Sequence, residues 1–190
     1  MIMSHWFAKL REYFPAKEMK SESHMKKLLM EKKGLYKVDE GPHYTLVYFE
    51  KPDYVFIDYI LVSSSSRGSG LGSKVISKMK EKNKLIILEV DPVSPEDPET
   101  EKRVRFYQKQ NFKKAPSIQY ERIHPVTGEK SVMDIFYWSK SHLSDEYLVG
   151  KMKNAYEEVH AYKNEELYGI TPQPANQVLQ LRQLQAQKAE

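Results

Sequence analysis

Apolar residues fall at two different periods along this chain, and the period sets the predicted elements. Trp6, Phe7, Leu10 and Phe14 recur at helical spacing until Pro15, which closes that short helix. Met25, Leu28 and Leu29 mark a second helix from about residue 18 to 33, stopped by Gly34. The pattern then tightens. Tyr44–Glu50 (YTLVYFE) and residues 54–63 (YVFIDYILVS) are β-branched and aromatic runs separated by a turn at Lys51-Pro52-Asp53. Residues 64–72 form a Ser/Gly loop. Val75, Ile76 and Met79 then share one face of a helix from 73 to about 83. Residues 85–90 (LIILEV) are a continuous apolar run suited to a strand covered on both faces. Asp97 followed by Pro98 starts a helix that runs to about residue 110. Segments 118–124 and 131–138 alternate around Thr127-Gly128 as a hairpin. Ser144 caps a helix whose stripe is Leu148, Met152, Ala155, Val159 and Tyr162. After Thr171-Pro172-Gln173-Pro174 a Gln-rich tail sets Val178, Leu181 and Leu184 in line, either frayed or as a short helix docked on a partner subunit. This order predicts an α/β protein, a central sheet with helices packed on it.

Composition narrows the chemistry. The 30 basic and 26 acidic residues leave a net charge of +4 over 190 residues, too small a surplus to require nucleic acid or a membrane surface as partner. At 40% hydrophobic and 12% aromatic residues the chain can fill a core. The absence of Cys excludes disulfides, thiolate metal sites and a cysteine nucleophile. Lys9, Arg11 and Glu12 interrupt the apolar stretch a signal peptide needs, so a cytoplasmic protein is expected. The six histidines show no pair at metal-ligand spacing, and Glu157-Glu158-Val159-His160 carries only one Glu-x-x-His, so no metal is expected.

The informative stretch is Val62-Ser63-Ser64-Ser65-Ser66-Arg67-Gly68-Ser69-Gly70-Leu71-Gly72-Ser73-Lys74, which leaves an apolar strand and enters an amphipathic helix. The first amides of a helix lack intrahelical partners and its dipole makes that end electropositive, so glycines there let several N–H groups converge on a phosphate. A plain flexible turn is the simpler reading. A Walker-type loop fails because Ser73 separates Gly72 from Lys74. A dinucleotide fingerprint needs G-x-G-x-x-G, whereas Gly68, Gly70 and Gly72 are evenly spaced; Glu89 and Asp91, about twenty residues on, keep a dinucleotide-binding protein as an alternative.

Arg67-Gly68-Ser69-Gly70-Leu71-Gly72 resembles the R/Q-x-x-G-x-G/A motif of the GNAT superfamily of acetyl-CoA-dependent acyltransferases. Phe106-Tyr107-Gln108-Lys109-Gln110-Asn111-Phe112 resembles that family's F-Y-x-K-x-G-F helix ending. The chain departs from the pattern at Thr100 and Arg103, where the family often has Asn and Ala, and at Asn111 for Gly. The resemblance covers about residues 44–138 and implies a domain over 1–142, with 143–190 a helical extension and Gln-rich tail. It implies acetyl-CoA as co-substrate in a V-shaped opening between two splayed parallel strands, 55–63 and 85–90. Backbone groups of Leu61, Val62 and Ser63 would then hold the pantetheine, and the amides of Arg67, Gly68, Ser69, Gly70, Leu71, Gly72 and Ser73 the pyrophosphate.

The implied reaction is N-acetylation of a primary amine on a small molecule or a protein, with Tyr107 as general acid. A core aromatic is the alternative for Tyr107, and a non-catalytic acyl-CoA-binding or regulatory module is the alternative for the whole. Asp58 interrupts an apolar strand, on one face with Phe56, Ile60 and Val62 by period-two alternation. It is a general base or a structural acid paired with a lysine; Glu89 is the second candidate base. Asp91, Glu96, Asp97 and Glu99 beside the acceptor side favour a cationic amine, or are simply a solvated loop. The helical stripe after Ser144 packs on the domain or forms the seam of a homodimer.

Overall fold

The computed structural model describes residues 5–182. Two helices, α1 (His5–Tyr13) and α2 (Glu22–Glu31), are joined by a strap with one 3-10 turn at Ala16–Glu18. The second helix therefore starts later than its apolar spacing indicates. Ser21 caps it, accepting from the His24 amide at 3.2 Å, while Met19 just before is extended. The elements that follow are β1 (Tyr36–Gly41), β2 (Tyr44–Glu50), β3 (Tyr54–Val62), α3 (Leu71–Lys80), β4 (Leu85–Val90) and α4 (Pro98–Lys109). Then come β5 (Lys113–Lys114), β6 (Ile118–Ile123), β7 (Lys130–Trp138), α5 (Asp145–Ala155), α6 (Asn164–Tyr168), α7 (Ala175–Val178) and β8 (Leu179–Leu181).

The strands form one sheet in the order β1-β2-β3-β4-β7-β6-β8, with β5 also on β7; every pairing is antiparallel except β3 with β4. Helices α1, α2 and α5 cover one face, burying Leu10, Met25, Leu28 and Met152 against Tyr54, Phe56 and Ile87. Helices α3 and α4 cover the other, where Ile76, Met79 and Tyr107 meet Val55, Ile57, Ile86 and Leu88. Each such side chain contributes about 1.5–3 kcal/mol by leaving water. Among the described residues no helix is long and apolar enough to cross a membrane.

Both ends of the sheet differ from the sequence expectation. β1 (YKVDEG) is an edge strand with mostly polar residues, so it carries no apolar run to betray it. The start of the Gln-rich tail is neither frayed nor simply helical. After one helical turn it adds β8 to β6, with Tyr120 opposite Leu179 and Ile118 opposite Leu181; Leu184 lies outside the described residues. Of the two readings of the stripe after Ser144, packing on the domain is the one seen: Leu148, Met152, Ala155 and Val159 are all at most 1% exposed, within the chain's own core.

The decisive irregularity is in β3. Val47 and Tyr48 of β2 face Tyr59 and Ile57, so Asp58 is an extra residue bulged out of the ladder. The bulge reverses the alternation. Phe56 and Tyr59 face the α1/α2/α5 side, Ile57 and Ile60 the other, and the grouping of Asp58 with Ile60 and Val62 by simple alternation does not hold. Pairing of β3 with β4 ends at Ile57 opposite Leu88, although β3 runs on to Val62 and β4 to Val90. A bulge bends and further twists its strand, which separates the two from that point.

Candidate active site

Where β3 and β4 part, a groove of about 470 Å³ opens, bounded by the end of β3, the loop 66–70, the start of α3, and Arg103, Phe106 and Tyr107 of α4. The Ser63 amide donates to the His43 carbonyl at 2.9 Å, so Ser63 faces β2. Antiparallel alternation turns Leu61 the same way and leaves the N–H and C=O of Ile60 and Val62 pointing to the open side. Of the predicted backbone contacts, Val62 thus has free polar groups at the groove, Leu61 and Ser63 are used by β2, and Ile60 is the residue that sequence reasoning missed.

At the far end of the groove the loop is shaped for an anion. Gly68 and Gly70 have φ of 81° and 82°, left-handed geometry that a side-chain-bearing residue resists. Gly72 is needed for a different reason: a Cβ there would lie 3.2 Å from the Phe106 ring. Gly70 is the N-cap of α3, and its carbonyl accepts from Lys74. Among the described residues the amides of Gly70, Leu71, Gly72 and Ser73 have no backbone acceptor, whereas those of Arg67 and Ser69 donate to Ser64 and Ser66 at 3.3 Å. The Arg67 guanidinium sits 3.7 Å from Glu99 and 5.1 Å from the centre of the Tyr13 ring, on the groove wall.

Tyr107 lies on the boundary between this groove and a smaller pocket of about 100 Å³. Its ring packs on Phe106, Phe112 and Phe136, so the core reading holds for the ring. Burial pushes the phenol well above its ordinary range, with Arg103 opposing, so it carries its proton at neutral pH.

Four carboxylates line the smaller pocket: Glu18 from the strap, Asp58 from β3, Glu89 from β4 and Asp91 just beyond it. Three are engaged. Asp58 accepts from Lys20 Nζ at 2.6 and 2.9 Å and from the Tyr36 hydroxyl at 2.6 Å, and both members of its ion pair are buried. Asp58, offered by the sequence as a base or as a structural acid paired with a lysine, is paired with Lys20. Glu89 accepts from His160 Nε2 at 2.9 Å. Burial would raise Glu89, but His160, Arg122 and Lys20 together hold it below the usual carboxylate range. Burial keeps His160 neutral, as its Nε2–H tautomer. Asp91 pairs with Arg103, the α4 residue standing where the family motif has Ala.

Sequence reasoning missed Tyr13, Glu18, Arg122 and His160, all lining this pocket. Their contacts to it span the whole chain, and only His160 had a local signal, its single Glu-x-x-His. It closes a π-helical turn, Tyr156–His160, at the end of α5. Such insertions re-aim the side chains that follow.

No family model matches the chain. A Bacillus subtilis (strain 168) protein named "Putative acetyltransferase YjbC" is 46% identical over 184 residues, covering 97% of this chain and 96% of that one. A solved structure named "Putative acetyltransferase from GNAT family from Bacteroides thetaiotaomicron" matches with a TM-score of 0.64 at 18% identity, over 85% of this chain and 89% of that chain. An aminoglycoside 6'-N-acetyltransferase complexed with coenzyme A matches at 0.52 and 12% identity, over 74% of this chain and 91% of that chain. With a whole-length relative at that identity, the chain belongs to the same acetyltransferase family as that protein, and its fold is that of the GNAT acetyltransferase structure.

Proposed function

We propose that this acetyltransferase takes its acetyl group from acetyl-CoA and passes it directly to a primary amine. One observation carries the reading. The groove combines a free strand edge, a cluster of unpartnered amides at a helix start, and a protonated phenol at its inner end. Those three match an amide-bearing arm, a diphosphate and a departing thiolate in that order.

The residues divide the work. The free N–H and C=O groups of Ile60 and Val62 would hold the pantetheine amides as a missing strand would. The amides of Gly70, Leu71, Gly72 and Ser73, aided by the helix dipole, would hold the pyrophosphate, and Arg67 adds charge at the mouth. The thioester supplies an acyl carbon open to attack. Tyr107 would give its proton to the sulfur as the carbon–sulfur bond breaks, which general-acid catalysis rewards by about 10²–10⁴-fold. An acceptor reaches the same point from the smaller pocket, whose acids favour a cation.

Thermal unfolding with acetyl-CoA, with NAD in parallel, tests the donor. A ligand at a hundred times its Kd adds about 2.7 kcal/mol, a shift of several degrees for a domain of this size. A shift with acetyl-CoA alone supports the reading; a shift with NAD alone replaces it by a dinucleotide site. Release of CoA thiol on adding ethanolamine, spermidine or a lysine-containing peptide then separates a catalyst from a binding module.

A further inference from the structure

Among the four carboxylates at the acceptor pocket, Glu18 is the one whose oxygens have no hydrogen-bond or ion-pair partner among the described residues. A carboxylate held by a partner inside the fold is less open to an incoming ammonium than an unpartnered one. Asp58 accepts from Lys20 and Tyr36, Glu89 from His160, and Asp91 from Arg103. While its carboxylate is free, the backbone of Glu18 is fixed. The Tyr59 hydroxyl donates to the Glu18 carbonyl at 2.8 Å and accepts from the Lys20 amide at 3.1 Å. The buried His124, next to the hairpin turn, donates from Nε2 to the Met19 carbonyl at 3.0 Å, with its Nδ1 accepting from the Val126 and Thr127 amides. Strap, β3 and hairpin thus lock together around one unpaired carboxylate.

From this geometry we infer that Glu18 binds the ammonium of the acceptor and takes up its proton, so the substrate class is a primary amine that arrives as a cation. The inference rests on the N-acetyltransferase reading above. Each proton is accounted for. One ammonium proton passes to the Glu18 carboxylate, and the freed nitrogen lone pair forms the bond to the thioester carbonyl carbon. The carbon–sulfur bond breaks and its electron pair leaves on sulfur, which takes the Tyr107 proton. The amide nitrogen sheds its second proton, which restores Tyr107, and Glu18 releases the first to solvent.

The surroundings fit the role. Burial, and then the negative charge of Asp91, push the Glu18 carboxyl up to about 7, with Asp97 acting in the same direction and Arg103 and Lys17 opposing. Tyr13 and Tyr107 face it from α1 and α4 in the same pocket. The inner wall adds the Lys20–Asp58 pair, and Glu89 with His160 and Arg122.

The test has two arms. In the first, carbon NMR of the full chain labelled at glutamate Cδ follows Glu18, its resonance assigned by its loss in Glu18→Gln. A midpoint near 7 that falls on adding spermidine supports the inference; a midpoint in the ordinary carboxylate range overturns it. In the second, thiol release from acetyl-CoA with spermidine is compared at pH 7. Glu18→Gln is expected to lose about 100-fold in kcat and the rising limb of the pH profile, with the acetyl-CoA melting shift intact. Turnover within threefold of the parent overturns the assignment. Loss of the acetyl-CoA shift in the parent protein counts against the donor reading instead, and the NMR midpoint still decides Glu18.

Discussion

The groove and the acidic pocket share Tyr13, Ile60, Arg103 and Tyr107 as a common wall, yet they are built by opposite means. The groove offers backbone within residues 60–73, an unpaired strand edge and the amides of a helix start, walled on its other side by α4 side chains. The pocket is made of side chains drawn from the strap, four strands, the end of α5 and α4. Backbone donors are satisfied by the ligand they await. Buried charges must instead find partners within the fold, and three of the four acids have done so.

The comparison breaks most visibly at the pocket's inner wall. Lys20→Met strands the Asp58 charge in the core and should destabilise the protein by about 3–5 kcal/mol in denaturant unfolding. Lys20→Met combined with Asp58→Leu should lose less than that single change, because no unpaired charge is left. At the shared wall, Tyr107→Phe should lower turnover at least about 100-fold, or about 2.7 kcal/mol of barrier, with the acetyl-CoA melting shift unchanged. Unaltered chemistry-limited turnover would remove Tyr107 from the mechanism.

In the groove the vulnerable atoms belong to the main chain. Gly70→Leu puts a side chain where φ is 82°, which should cost about 1–2 kcal/mol in stability and suppress the acetyl-CoA melting shift. A normal shift in that variant would refute the loop assignment. The smallest effect concerns pH. The folded-state pKa of Glu18 is raised from 4.5 to about 7, so its contribution is fully present below pH 4.5 and declines as pH rises through 7. Glu18→Gln should therefore melt like the parent near pH 4.5 and be more stable at pH 8, by about 1 kcal/mol after allowing for solvent screening. Equal stability at both pH values would place the carboxyl in ordinary solvent.

The same contrast explains what could be read in advance. The loop 64–72 and the helix ending at 106–112 were legible because glycine spacing and helix register are local properties. Asp58 was singled out correctly as unusual, but its partners Lys20 and Tyr36 lie 38 and 22 residues away in sequence. Period-two alternation grouped it with Ile60 and Val62, which the bulge turns to the opposite face. Glu18 gave no signal, since one glutamate among 26 acidic residues looks like any solvated charge. β1 and β8 escaped notice because a polar edge strand is defined by its neighbour's free N–H and C=O groups rather than by its own residues.

By itself the sequence determined the order of the central elements, the apolar face of α3, and a glycine-rich loop between strand and helix. These follow from periodicity and backbone conformation, which act over a few residues. Tertiary structure alone decided where β3 parts from β4, which acids are neutralised, and which one is left free. Those outcomes depend on pairing between distant charges and on a bulge set by strand register, and neither is encoded within any single stretch of the chain.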